Sequence, residues 1–370
     1  MTALGEVRTL SELVLLARER LAPQVWDYLI GGAESEMTQW RNRHALDAYA
    51  FLPRVLRDVS RITPETRIFG RQISMPAFLA PVGSLALFDK AAALASARAA
   101  STANVPFFMS IMAEPSLEEV ARSAPGVLLI LQIYIRGDRS WLDAIVGRAE
   151  NTGCAALCLT VDTPVYGRRE RDLRNRFSSA TAVDRVNLDG RKSEQITSEQ
   201  ASLTWEDVAY LRKRTQLPLV IKGISTVQDA TLAADHGVDC VYLSNHGGRQ
   251  LDHAVAALDQ LAAAREALPD TIELLVDGGF VRGTDIAKAC ALGARAAGFG
   301  KLQGLALAAG GEHGVRRMLE LLLEEYSSVL ALLGCARTDA LTSEYVSSRP
   351  LPSSPGRSAR PPLTSALGLD

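Results

Sequence analysis

Three things are missing from this chain, and each narrows what it does. Its cysteines, Cys154, Cys158, Cys240, Cys290 and Cys335, never fall in a CxxC pair, and four of the five lie in apolar contexts. Reduced core thiols are expected rather than a disulfide framework or a cysteine-built metal centre. Charge of either sign is not in excess: the formal net charge is −2, which offers no basic footprint for nucleic acid. Long hydrophobic runs are missing from the opening MTALGEVRTLSELVLLARER, where the one short run, LVLLA, is bracketed by charge. Neither a signal peptide nor a membrane span is expected there, and a cytoplasmic location follows. The same stretch reads as an amphipathic helix with Thr9 as N-cap and Glu12 three residues on.

What is present is a large apolar share. With 370 residues, 47% hydrophobic and 22% charged, the chain can bury a sizeable core as two domains or as one α/β barrel with extensions. From about residue 75 one theme recurs: a short apolar run, a polar or glycine-bearing turn, then an amphipathic stretch. The runs are MPAFLA (75–80), VPFFM (105–109), VLLILQI (127–133), CAALCLT (154–160), LPLVIK (217–222), CVYLS (240–244), IELLVD (272–277) and RAAGFG (295–300). Strands apolar on both faces and separated by helices argue for a covered parallel sheet, and eight such units point to a closed (β/α)₈ TIM barrel. A doubly wound open sheet is the alternative. Residues 1–346 are expected to form one barrel domain with an N-terminal helical extension. The Pro- and Ser-rich residues 347–370 are expected to be a disordered tail. The polar stretch between Arg176 and Trp205, which lacks a hydrophobic face, is expected to be a lid or a disordered insertion.

A barrel places active residues at the carboxyl ends of its strands, and all eight runs end in polar or glycine-bearing segments. In DGGFVRGTD (277–285), after the seventh run, the glycines let backbone N–H groups approach an anion, and the following helix start adds its dipole. Gly300 and Lys301 complete this candidate phosphate cradle from the eighth run. Lys222 ends LPLVIK at the mouth, where a lysine is either solvated or a partner for negative charge that develops on a cofactor. In SNHGGRQLD (244–252), His246 is a core histidine or a base. Arg249 three residues on and Asp162 at the end of the fourth run favour a base oriented by a carboxylate beside a guanidinium that grips an anionic substrate. Of the paired arginines in GRRERD (167–172), one is expected in solvent and Arg169 at the mouth.

SNHGGRQLD, LTVDTPVYGRRERDLRNRF, IKGI and DGGFVRGTDIAKACALGA resemble the FMN-dependent L-2-hydroxy-acid oxidase and dehydrogenase family, from about Leu10 to Val346. The resemblance implies a barrel that holds FMN across its mouth and oxidises an L-2-hydroxy acid to the 2-oxo acid, with oxygen or another acceptor taking the electrons. By position it makes His246 the base and Asp162 its orienting partner. Arg169, Arg249 and the Tyr28 hydroxyl then bind the substrate carboxylate, and Tyr134 the substrate oxygen. Pro81, Val82, Gly83, Ser110, Gln132 and Thr160 match positions that contact the flavin ring, with Lys222 near its N1 and C2 carbonyl. Ser244, Asp277, Gly278, Gly279, Val281, Gly300 and Lys301 match the ribityl and phosphate positions. A homotetramer is implied as well.

Val281 and Lys301 stand where the family usually has arginine, and Arg282 next door is a candidate replacement. Gly83, in place of the alanine of the oxidases, is expected to open space beside the flavin. Met112, in place of a tryptophan, is expected to make the pocket apolar and larger. A larger or aryl 2-hydroxy acid is therefore the expected substrate, with no nucleic-acid or membrane partner. A tailoring enzyme for a carrier-bound hydroxy acid and a relative that binds FMN weakly and is inactive are the alternatives.

Overall fold

The structure, a computed structural model, describes residues 4–182, 185–188, 198–348 and 367. Each apolar run forms a strand: β1 (Ala77–Leu79), β2 (Phe107–Ser110), β3 (Leu129–Ile133), β4 (Ala156–Thr160), β5 (Leu219–Ile224), β6 (Cys240–Leu243), β7 (Glu273–Asp277) and β8 (Ala296–Phe299). They close into one parallel barrel in sequence order. The closing ladder, Ala297 against Ala77 through Phe299 against Leu79, rules out the open sheet.

Side chains alternate faces along each strand, so every second residue points to the barrel axis. Phe78, Phe108 and Tyr242 fill the interior with ring centroids 4.8, 5.3 and 5.8 Å apart. Two residues further along the same inward faces stand Ser110, Gln132, Thr160, Lys222, Ser244 and Asp277, all buried. The barrel thus changes from apolar filling to a polar layer within one strand repeat. Gly298 is required by the filling, since a Cβ there would lie 2.7 Å from Phe78 Cζ and 2.9 Å from the Tyr242 hydroxyl.

The N-terminal extension supplies three helices, Leu10–Arg20, Pro23–Ile30 and Met37–Ala48. The first carries the expected capping box between Thr9 and Glu12. All five cysteines are buried and unpaired, and no described helix is long and apolar enough to cross a membrane.

Two expectations change. Ser347 and Ser348 do not belong to a loose tail: Val346–Ser348 pairs antiparallel with Tyr49–Phe51, which satisfies the backbone of both. Leu367 is buried, and its carbonyl accepts from the Ser11 hydroxyl. The rest of the expected tail lies outside the described residues. The polar stretch after β4 is, in its described parts, tied to the barrel. Buried polar side chains, together with the buried Leu188, supply the attachment. Asn187 accepts from Leu117 N at 2.9 Å and donates to Ala113 O at 2.8 Å. Gln200 accepts from Ile135 N at 2.7 Å and donates to Thr160 O at 3.0 Å.

Gly298→Ala overpacks the interior and is expected to destabilise the fold by roughly 1–3 kcal/mol. A lowered denaturant midpoint at unchanged slope is the check; an unchanged midpoint would show that the Phe78 and Tyr242 rings yield.

Candidate active site

β6 ends in a turn whose backbone is left-handed at three successive residues, His246 (φ 59°), Gly247 (64°) and Gly248 (76°). For histidine that conformation costs on the order of 1–3 kcal/mol and persists only where its surroundings enforce it. Ser244 Oγ accepts from His246 N at 3.1 Å. Asn245 and Asn42 exchange amide hydrogen bonds at 2.8 Å in each direction, both residues buried. Asp252 caps the helix Met37–Ala48 by accepting from Thr38 N at 2.8 Å. Any Cβ at residue 248 would meet Gln39 N at 2.7 Å. The helix and the turn therefore brace each other.

The turn aims the imidazole at Asp162, with Nδ1 3.0 and 3.2 Å from the two carboxylate oxygens. Because an ionised carboxylate only accepts, the hydrogen-bond network assigns the proton to Nδ1 and leaves a lone pair on Nε2. Nε2 faces the Tyr134 hydroxyl at 3.4 Å. Burial pushes His246 below its ordinary value of 6.5, against the pull of Asp162. Burial works the other way on Asp162, but His246 and Lys222 hold its carboxyl below the usual range. At neutral pH the pair is a carboxylate beside a neutral imidazole. Burial and the Asp162 charge raise Tyr134, which keeps its proton.

Around this pair opens a cavity of about 580 Å³, and four of the cations that line it are Arg169, Lys222, Arg249 and Lys301. None makes an ion pair among the described residues. Arg249 donates to the carbonyls of Tyr28 (2.6 Å) and Gly31 (3.0 Å). Lys222 Nζ reaches Ser244 Oγ at 3.0 Å and lies 5.1 Å from the Tyr242 ring centroid. Lys301 Nζ donates to Ile30 O at 2.9 Å, Gly31 O at 3.1 Å and the Gln39 carbonyl. Arg169 Nε is buried without a partner. Burial and Arg169 push the Arg249 guanidinium down, and burial and Arg249 push the Lys301 ammonium well down. Charges crowded in this way are relieved by a bound anion.

The structure brings Tyr28, Pro81, Val82, Gly83, Tyr134, Asp277, Gly278, Gly279, Val281 and Gly300 to the wall of the same cavity, with His246 and the four cations. Ser110, Gln132, Thr160, Asp162 and Ser244 stand behind it as supports. Gln132 donates to Thr160 Oγ1 at 2.9 Å, Ser110 Oγ accepts from Met112 N at 3.2 Å, and Ser244 donates to Asp277 at 2.6 Å. Arg168 is the exposed member of the arginine pair and Arg169 the inner one.

Two expectations fail here. Arg282 does not replace a cation at residue 281: its guanidinium is held 2.9 Å from Glu325, outside the cavity lining. Gly83 does not leave open space, because a Cβ there would sit 2.9 Å from Met112 Cβ. The room has been taken by the neighbouring side chain. Gln39, Phe88, Asp172, Phe177 and Arg185 also line the cavity, and sequence reasoning did not single them out. Phe88 and Phe177 each carry a ring close to that of Tyr28, with centroids 6.4 and 5.5 Å away. Only the polar character of the stretch after β4 hinted at Arg185.

A barrel with this mouth has known relatives. Residues 17–348 match the FMN-dependent dehydrogenase family. The chain belongs to that family, and its cofactor is FMN. It is 41% identical over 345 residues to 4-hydroxymandelate oxidase of Amycolatopsis orientalis, covering 90% of this chain and 96% of the relative. It is 37% identical over 354 residues to glycolate oxidase of Spinacia oleracea, covering 92% and 96%. Among solved structures, a mandelate oxidase variant with a C4a-OH-FMN adduct superposes with a TM-score of 0.84 at 40% identity, covering 91% of this chain and 98% of that one.

The donor set fits FMN, with less positive charge than expected at the phosphate end. Lys301 opens a helix that runs to a break at Gly310 and Gly311, with Gly300 at its N-cap, so an ammonium and a helix dipole converge there. Arg43 also lines the cavity, but its guanidinium is committed to Asp285 at 2.8 and 2.9 Å, to Asp47 at 2.7 Å and to Gly279 O at 3.0 Å. Lys301 is the cation available to a phosphate there. Lys301→Met is expected to weaken FMN binding by about 10- to 100-fold, the worth of a charge-assisted hydrogen bond, and Val281→Arg to tighten it. Fluorescence titration of the apoprotein measures both; unchanged affinity in Lys301→Met would place the phosphate elsewhere.

Proposed function

We propose that this enzyme oxidises an L-2-hydroxy acid with an aromatic or similarly bulky side chain to the 2-oxo acid. The observation that carries the reading is the convergence on one cavity of a neutral histidine, oriented by a carboxylate, and two guanidiniums that make no ion pair among the described residues, with Asp172 as the one carboxylate acting on them from a distance. Arg169 and Arg249, with the Tyr28 hydroxyl, take the substrate carboxylate. Tyr134 donates to the C2 oxygen. The substrate loses two electrons and two protons as its C2 alcohol becomes a carbonyl; His246 Nε2 accepts one of the protons, the other leaves with the electron pair to the acceptor, and Asp162 stabilises the imidazolium that forms. FMN, when bound, would supply the two-electron acceptor, and Lys222, buried and without a carboxylate partner among the described residues, would be the cation available to negative charge there. Electrons then pass to oxygen or another acceptor.

The wall beyond the histidine supports the choice of side chain. Tyr28, Leu29, Phe88, Met112, Leu173 and Phe177 give it an apolar, largely aromatic surface, which suits an aryl group better than the hydrogen of glycolate. The relatives named for mandelate and 4-hydroxymandelate point the same way.

Anaerobic L-mandelate is expected to bleach the flavin of the purified yellow protein, faster than glycolate does. Failure of L-mandelate, 4-hydroxymandelate, L-lactate and glycolate alike to bleach it would refute the proposal. His246→Ala is expected to slow that reduction by about 10²- to 10⁴-fold or more.

The same base sets a pH dependence. His246 must be neutral to act, and its value in the fold is lowered from 6.5. kcat/KM is therefore expected to fall on the acid side with its midpoint below pH 6.5, with that limb lost in His246→Ala. An acid limb centred above 6.5 would mean that another group titrates.

A further inference from the structure

We propose that Arg185, on the stretch after β4, is a positioning residue for Tyr28: it fixes the two serines that hold the tyrosine hydroxyl and so sets how the substrate carboxylate is gripped. This rests on the reading that Tyr28 binds that carboxylate. The Arg185 side chain is almost entirely buried, with 7% relative exposure. Nη2 donates to Ser84 Oγ at 3.0 Å and to the Ser179 carbonyl at 2.9 Å. Nη1 donates to the carbonyls of Gly83 and Met112 and lies 3.2 Å from Glu114 Oε1.

On the other side of those serines is Tyr28. Its hydroxyl donates to Ser84 Oγ at 3.3 Å, and the Ser179 side chain is its second hydrogen-bonding partner. Both groups that flank the phenol oxygen are thus held by one guanidinium, one through its hydroxyl and the other through its backbone. Ser84 is fully buried and accepts from both Arg185 and Tyr28, which fixes its rotamer.

Arg185 differs from the four open cations of the cavity. Its charge is matched by Glu114, and both terminal nitrogens donate to fixed protein acceptors, with only Nε left without a partner, so the fork is not free to grip a further carboxylate. The fork geometry matters as well: one planar group reaches Gly83 and Met112 with one nitrogen and Ser84 and Ser179 with the other. A lysine ammonium at the same place would reach one set or the other.

A double-mutant cycle on the FMN-bound enzyme tests the assignment, with benzoylformate binding read from the flavin spectrum and L-mandelate kinetics alongside. Arg185→Met is expected to raise the benzoylformate Kd and the mandelate KM about tenfold, the worth of one hydrogen bond, and to leave flavin reduction at saturating mandelate within about threefold. Tyr28→Phe is expected to cost as much. The double variant should be no worse than Tyr28→Phe alone, because the arginine then has no hydroxyl left to position. Arg185→Lys should retain FMN but not restore the Kd.

If the two penalties multiply, or if Arg185→Met leaves the Kd unchanged, the proposal is overturned. If Tyr28→Phe itself leaves the Kd unchanged, the reading of the carboxylate site fails instead. Should Arg185→Met not fold, Ser84→Ala carries the same cycle: its penalty should vanish in the Tyr28→Phe background, and a penalty that persists there overturns the proposal.

Discussion

A strand turns its side chains to opposite faces residue by residue, and in a closed parallel barrel one of those faces has nowhere to look but inward. That constraint builds the mouth of this molecule. Cys240, Tyr242 and Ser244 follow one another on the inward face across β6 and its end, and Leu275 and Asp277 do so on β7. The last member of each series meets its neighbour: Tyr242 donates to Asp277 at 2.7 Å, Ser244 donates to Asp277 at 2.6 Å, and Lys222 donates to Ser244 at 3.0 Å. The chain is continuous from the aromatic filling to the lysine ammonium. Removing any link would leave a buried polar group without its partner, a loss usually larger than the worth of the bond itself.

Above that layer the charge does not balance. Arg169, Lys222, Arg249 and Lys301 face one cavity, and burial among like charges lowers Arg249 and Lys301, while Asp162 is committed to a histidine and Asp277 to hydroxyls, which leaves Asp172 as the one facing carboxylate without such a partner. A protein that folded for stability alone would pair these groups or replace them with apolar ones. Here the missing anions are supplied from outside, so cofactor and substrate complete the electrostatics of the fold and stabilise it by mass action.

The parts of this design that were legible in the sequence were those carried by local pattern. The eight apolar runs and their polar ends marked every barrel strand, and Thr9 with Glu12 marked the first helix. His246 and Asp162 were legible because each follows a strand end within three residues, and Arg169 and Arg249 because they lie in the loops that continue from those same ends. Groups whose role depends on distant partners were not legible. Whether Arg282 faces the cavity or Glu325 is decided by a helix that follows the break at Gly310 and Gly311, and nothing in DGGFVRGTD encodes it. Asn42 and Gln39 reach the mouth from a helix about two hundred residues earlier than the turn they brace. Arg185 sits in a stretch whose composition resembles loose chain, yet buried polar anchors hold its described parts as firmly as an apolar face would.

Gly83 and Met112 touch so closely that neither can be considered alone. A methyl group at residue 83 would need the volume that Met112 Cβ now holds, so a change at the first position meets a fixed neighbour at the second. The two sites form an epistatic pair: an ancestor or a laboratory lineage that carried alanine at 83 would have had to travel through a different backbone placement at 112, and the order of the steps would have mattered. The wall formed by these two residues is therefore inherited as a unit, and residue 83 is open to revision only by routes that move Met112 with it.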